Sequence, residues 1–147
     1  AAQQSPVHAE LDRANFAANK GRLPWPVAGE IISNFGRHQH PKYKTVTVSN
    51  GIAIAAAIGT PVRAVADGVV DLVQWLPGYG QTVILNHGNG FYTIYGHLSQ
   101  AEVSVGDRVA PGDTIGASGE TGSLKGPCLH FEVRQGGTAQ DPMGWIR

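Results

Sequence analysis

From Leu23 onward, apolar and polar residues alternate with a period of two, the signature of strands that bury one face. The stretch Cys128-Leu129-His130-Phe131-Glu132-Val133-Arg134 is the clearest case. Leu129, Phe131 and Val133 form an apolar face, and Cys128, His130, Glu132 and Arg134 form the other. Similar runs predict strands near 30–35, 45–56, 62–76, 80–87, 91–98, 102–105, 108–109, 114–118 and 128–135. Gly78-Tyr79-Gly80, Asn86 to Gly90 and Pro111-Gly112-Asp113 punctuate them as turns, with Asn89-Gly90 a hairpin signal. His38 to Lys44 reads as an exposed loop, and His87 as a turn residue. Within 91–98, strict alternation sets Tyr92, Ile94 and Leu98 against Phe91, Thr93, Tyr95 and His97.

The first residues follow another rhythm. Val7, Leu11 and Ala14 recur at helical spacing, Lys20 complements a helix C-terminus, and Gly21 stops it. Residues 1–22 are therefore expected to form a helical arm or linker, and residues 23–147 a single domain. The predicted class is all-β, an antiparallel sheet or sandwich, with a short N-terminal helix.

Composition sharpens this picture only slightly. The 147 residues carry zero formal net charge and only 15% are charged, so no basic excess points to nucleic acid. Twenty glycines suit many short strands joined by tight turns. The one cysteine, Cys128, cannot form an intramolecular disulfide. No apolar run approaches the ~18 residues of a transmembrane helix, and Ala1 to Lys20 lacks the apolar core of a signal peptide. Trp25, Trp75 and Trp145 are expected to be packing residues.

Several ordered runs carry a family likeness: Gly21 to Val27, Asn50-Gly51-Ile52, Gly59 to Val70, Trp75 to Gly80, Tyr95 to Ser99, Val105 to Val109 and Leu129 to Arg134. Together they resemble the LytM (lysostaphin-type) zinc endopeptidase domain. The likeness is greatest to its degenerate branch of EnvC-type murein hydrolase activators. The family's zinc is read from an H-x-x-x-D and an H-x-H segment. Here Ser49, Ala53 and Cys128 stand at three of the positions where those motifs carry His, Asp and His, and His130 alone of the three ligands is kept. Serine is a poor zinc ligand and alanine is none, whereas a catalytic zinc needs three protein ligands and an open position. The resemblance also gives the positions of His97 and Cys128 to the two histidines that assist the reaction, so half of that pair is lost.

The resemblance implies a domain that is not an enzyme, holds no metal or other cofactor, and works in the periplasm. Its partner would be a periplasmic N-acetylmuramoyl-L-alanine amidase, switched on for peptidoglycan cleavage during cell separation, with peptidoglycan as a second candidate partner. The family fold would bring the polar strand faces together into a groove, with Asn50, Tyr79, Tyr95, His97, His130, Glu132 and Arg134 as partner-binding candidates. Substituting Arg134 or Tyr95 is then expected to abolish stimulation without unfolding the domain. Two alternatives stand beside this reading. One is an active metalloendopeptidase using an atypical site of His97, Cys128 and His130; the other is a plain peptidoglycan-binding module.

Overall fold

Twelve strands account for about half of the residues described by the computed structural model, which are Leu11 and residues 15–147. They are β1 (Ile31–Ser33), β2 (Gly36–Gln39), β3 (Val46–Ser49), β4 (Ile52–Ala55), β5 (Pro61–Arg63) and β6 (Gly68–Leu76). Then follow β7 (Gly80–Gly88), β8 (Phe91–Ala101), β9 (Arg108–Val109), β10 (Thr114–Ser118), β11 (Cys128–Gln135) and β12 (Thr138–Gln140). The main sheet runs β1-β4-β11-β8-β7-β6-β9, with β10 bridging β5 and β8 and with β12 on β11. All these ladders are antiparallel, and β2 and β3 form a separate two-stranded sheet. The all-β antiparallel class is as expected.

Alternation places the core where the pattern puts it. On β11, Leu129, Phe131 and Val133 are fully buried, and β4 adds Ile52 and Ile54 opposite them. Val83, Leu85, Val62 and Ile115 complete the centre of the cluster. Full burial of each aliphatic side chain contributes about 1.5–3 kcal/mol, so this cluster is the main source of stability. At the β7–β8 hairpin, Asn89 and Gly90 both take positive φ (53° and 81°), as a two-residue primed turn requires.

Beyond an unexpected β12 and a β8 that runs on to Ala101, the strand boundaries differ from expectation in four places. The run 45–56 breaks at Asn50-Gly51 into β3 and β4, which belong to different sheets. Gly51 permits the crossing: a Cβ there would lie 2.3 Å from the Phe131 carbonyl oxygen. The run 62–76 breaks where Ala64 exchanges backbone hydrogen bonds with Asp113 and Gly112. Residues 102–105 form no strand, because the Ser104 N–H turns to the Asp107 carboxylate (2.8 Å). Finally, part of the expected loop 38–44 is strand, since His38 and Gln39 pair with Thr47 and Val46.

At the N-terminal end, Phe16–Asn19 is a single 3-10 turn, followed by Gly21 with φ of 81°. Leu11 is helical and fully buried. The rest of the expected arm, including Val7 and Ala14, lies outside the described residues. Phe16 stacks on Trp145 (4.9 Å) and on His87 (4.6 Å), so this segment closes one end of the core. Two single-residue expectations are corrected here. His87 is a buried core residue (1% exposed) held between the Asp67 carbonyl and Thr93 Oγ1, not a turn residue. Trp75, near the end of β6, is 57% exposed instead of packed.

Candidate functional site

A groove of about 380 Å³ lies between the β2–β3 hairpin and the turn that joins β6 to β7. The predicted residues Asn50, Tyr79, His97 and His130 line it, and so do Ser49 and Ala53. Its floor is β4 and β11, where Ala53 faces His130 directly across the ladder.

His97 reaches this groove through an irregularity. Gln81 pairs with Leu98 and Val83 with Tyr95, so β8 spends one residue more than β7 over this span. That is a β-bulge, and His97 within it has φ of 61°, a conformation that a non-glycine residue adopts only under constraint. Its N–H donates to the Tyr79 carbonyl (2.6 Å). Its Nδ1 donates to the Thr121 carbonyl (2.8 Å), since a carbonyl can only accept. Burial pushes the His97 pKa down and the neighbouring His130 adds to this, against the raising effect of the Thr121 hydrogen bond. The neutral ring then leaves Nε2 as an acceptor on the groove side.

The bulge also reverses the parity of β8, and this overturns the expectation for Tyr95. Its side chain is fully buried, 5.4 Å from the Phe131 ring, and its hydroxyl meets Val65 N–H (3.3 Å) and Thr93 Oγ1 (2.9 Å). Tyr95 is a core residue, out of a partner's reach. Replacing it would strike the fold, so it cannot separate binding from stability.

Glu132 requires the same correction, while Arg134 stands at the edge. His130, Glu132 and Arg134 occupy alternate positions on one face of β11, as read from the sequence. Glu132 is nevertheless fully buried, and its two oxygens accept from His130 Nε2 and Arg134 Nε, both at 2.7 Å. Burial alone would raise its carboxyl pKa. The hydrogen bonds from His130, Tyr79 and Arg134 outweigh that, and the net direction is down. Burial raises the Tyr79 hydroxyl pKa, and the charge of Glu132 raises it further. Tyr79 meets the His130 ring edge-on at 5.0 Å. Glu132 therefore braces the groove floor from beneath and presents nothing to a ligand. Arg134 is turned inward by the same bond, with a side chain 24% exposed.

These contacts decide how well the site suits a metal. Ser49 donates its hydroxyl to the Gly51 carbonyl (2.8 Å), and Ala53 has no donor atom. Cys128 is fully buried beside Ser123 Oγ (3.5 Å), under the 119–127 loop, and does not line the groove. His130 Nε2 is committed to Glu132, and the His97 and His130 rings stand 5.9 Å apart. Among the described residues, no three His, Cys, Asp or Glu side chains assemble into a group able to hold an ion. This donor set does not fit a catalytic zinc.

Five groove residues escaped the sequence reading: Ser33, His38, Thr47, Val48 and Lys125. Thr47 shares the strand face of Ser49, and that much was readable from period two. His38 lies opposite Thr47 only because of the hairpin register, and Lys125 sits on a loop where no pattern applies. His40, by contrast, stays on the hairpin turn, where Nδ1 accepts from the N–H groups of Lys42 and Tyr43.

The architecture has counterparts. The profile of peptidase family M23 matches residues 47–142. The murein hydrolase activator EnvC of Escherichia coli is 38% identical over 131 residues, which cover 89% of this chain and 30% of EnvC. The cell division protein DipM of Caulobacter vibrioides is 36% identical over 138 residues, covering 93% of this chain and 21% of DipM. A zinc containing peptidase from Vibrio cholerae superposes with a TM-score of 0.77 and 34% identity, over 84% of this chain and 40% of that one. The chain thus spans less than a third of the length of these two curated relatives. With the profile spanning the groove floor from β3 to beyond β12, and the same fold in a solved peptidase, the chain belongs to peptidase family M23, of LytM type.

Proposed function

We propose that this domain is a non-catalytic M23 domain that binds a periplasmic N-acetylmuramoyl-L-alanine amidase and switches it on for peptidoglycan cleavage during cell separation. The observation that carries the reading is the groove floor. Its remaining polar groups are tied to one another, His130 to Glu132 and Ser49 to Gly51, and not aimed at a shared metal position. What remains is a concave surface with an aromatic side chain, three imidazoles and an asparagine, material suited to a protein segment. The likeness to EnvC and DipM, a murein hydrolase activator and a cell division protein by name, supports the same direction.

Activation in this reading is a population shift. The domain must bind the open amidase better than the closed one, and moving 1:99 to 99:1 takes about 5.5 kcal/mol of differential affinity. Asn50 and His97 are the side chains to test, because both line the groove and neither sits in the Glu132 brace. The assay is dye release from labelled sacculi, with the domain alone, the amidase alone, and both. Release only in the mixture is expected, with a marked loss on Asn50→Ala or His97→Ala while the melting temperature of the Asn50 variant holds. Chelator-sensitive release by the domain alone would overturn the reading in favour of a peptidase. Binding to sacculi without stimulation would leave only a peptidoglycan-binding module.

A further inference from the structure

Zero net charge conceals a strong segregation of charge along the chain. Residues 31–66 contain Arg37, Lys42, Lys44 and Arg63 and not one Asp or Glu. Residues 67–113 contain Asp67, Asp71, Glu102, Asp107 and Asp113 against Arg108. The fold turns this into a partial spatial polarity, interrupted by the exposed Glu30 just before β1 and by Arg108 on β9. The hairpin β2–β3 is inserted between β1 and β4, through two-residue connections on each side, so it stands at the β1–β4 edge of the main sheet. Asp71 on β6 and Asp107 just before β9 lie at the opposite edge.

On the hairpin, Arg37, Lys42 and Lys44 are exposed, and no carboxylate of the described residues pairs with them. The register sets the Arg37–Val48 and Gln39–Val46 pairs on one face and the His38–Thr47 pair on the other, which is the groove side; Val48, at the end nearest Asn50, also borders the groove. The Arg37 face also leaves apolar surface open, with Val48 71% and Val46 42% exposed. At the tip, Tyr43 is 67% exposed and lies under the Lys42 ammonium (5.4 Å). Valine and tyrosine contacts require a ligand with apolar side chains of its own, whereas the cations require carboxylates.

We propose that the outer face and tip of the β2–β3 hairpin form a second docking surface, adjoining the groove at Val48, for an acidic segment of a protein partner in which Asp or Glu alternates with apolar residues. Unpaired cations at one edge steer such a segment over a Debye length of about 8 Å, and the valines hold it once it arrives. The identification of that partner with the amidase rests on the function proposed above; the chemistry of the segment does not.

The test uses the full chain and a triple variant, Arg37→Glu/Lys42→Glu/Lys44→Glu, whose altered side chains are all exposed and whose fold is checked by circular dichroism. The probes are a fluorescent peptide of Glu, Leu and Ser, its Lys-for-Glu twin, and soluble disaccharide-peptide fragments of peptidoglycan. The Glu peptide is expected to bind the wild-type chain, to weaken about tenfold with charge reversal, and to weaken similarly between about 50 and 300 mM salt. The Lys twin should bind only the reversed chain. Equal binding of both peptides, or no effect of reversal, would overturn the inference. A matching loss for the peptidoglycan fragments would reassign the hairpin to the wall polymer, which also overturns it. Dye release separates the two readings. A reversed chain that stimulates as well as wild type removes the amidase as the hairpin's partner and leaves the activator standing, whereas a wild-type chain that never stimulates removes the activator; in both cases the peptide arm decides the hairpin.

Discussion

Replacing Arg134 by Met is expected to destabilise the fold by about 3 kcal/mol, far more than a surface arginine contributes. The reason is Glu132. Its carboxylate is fully buried and satisfied by only two short hydrogen bonds to cationic or imidazole donors, from Arg134 Nε and His130 Nε2. Removing Arg134 takes away the cationic partner and leaves a buried charge compensated by His130 and Tyr79 alone, a situation that costs about 3–5 kcal/mol. The lower end applies because the Arg134 and His130 side chains are 24% and 17% exposed, so water can approach from their side. Removing the charge together with its partner should relieve the penalty. The double variant Glu132→Leu/Arg134→Met is therefore expected to be more stable than Arg134→Met alone. Urea unfolding of both variants decides the matter: an Arg134→Met variant within about 1 kcal/mol of wild type would show that the brace carries no such strain. The consequence reaches function. Loss of stimulation in an Arg134 variant would report a softened groove floor, and would not identify Arg134 as a contact with the partner.

How much of this was legible in the sequence varies with the physics involved. The faces of β11 could be read from seven residues, because a regular strand obeys period two and its neighbours do not alter that. The same rule misplaced Tyr95 relative to His97. A bulge is a property of two strands in register, and the extra residue is visible only once Val83 is set against Tyr95 and Gln81 against Leu98. The hairpin β2–β3 was missed for a related reason. Val46 and Val48 alternate and place β3 within the expected run 45–56, but β2 (Gly36–Gln39) carries no apolar alternation, and the pairing of Arg37 with Val48 is visible only in three dimensions. Burial of polar groups was equally hidden. Nothing local to Glu132 or His87 says that each will be covered, by the Tyr79 turn in one case and by Phe16 in the other.

His87 makes the fold acid-sensitive in a window well above that of the carboxylates. Nδ1 bonds to the Asp67 carbonyl (2.7 Å) and so carries the proton, which leaves Nε2 of the neutral ring to accept from the Thr93 hydroxyl (2.6 Å). A second proton turns that acceptor into a donor and places a charge beneath Phe16, whose ring stacks 4.6 Å away. Burial accordingly pushes the His87 pKa from 6.5 down to about 4, against the raising effect of the Asp67 hydrogen bond. The sign follows from linkage. Between these two values the unfolded chain binds a proton that the folded chain refuses, so stability is fully present above pH ~6.5 and is lost as pH falls toward ~4, by about 3 kcal/mol in all. Glu132, whose folded pKa is lowered from 4.5, loses its contribution only as pH falls through that lower range. His97 is shifted in the same direction as His87, so wild-type unfolding alone cannot assign the slope. Urea midpoints at several pH values from about 7 to 4.5, for wild type, His87→Gln and His97→Gln, separate them. The His87 variant is expected to start less stable and then to run nearly flat, while the His97 variant keeps most of the wild-type slope. If His87→Gln retains that slope as well, the buried imidazole is not what acid attacks.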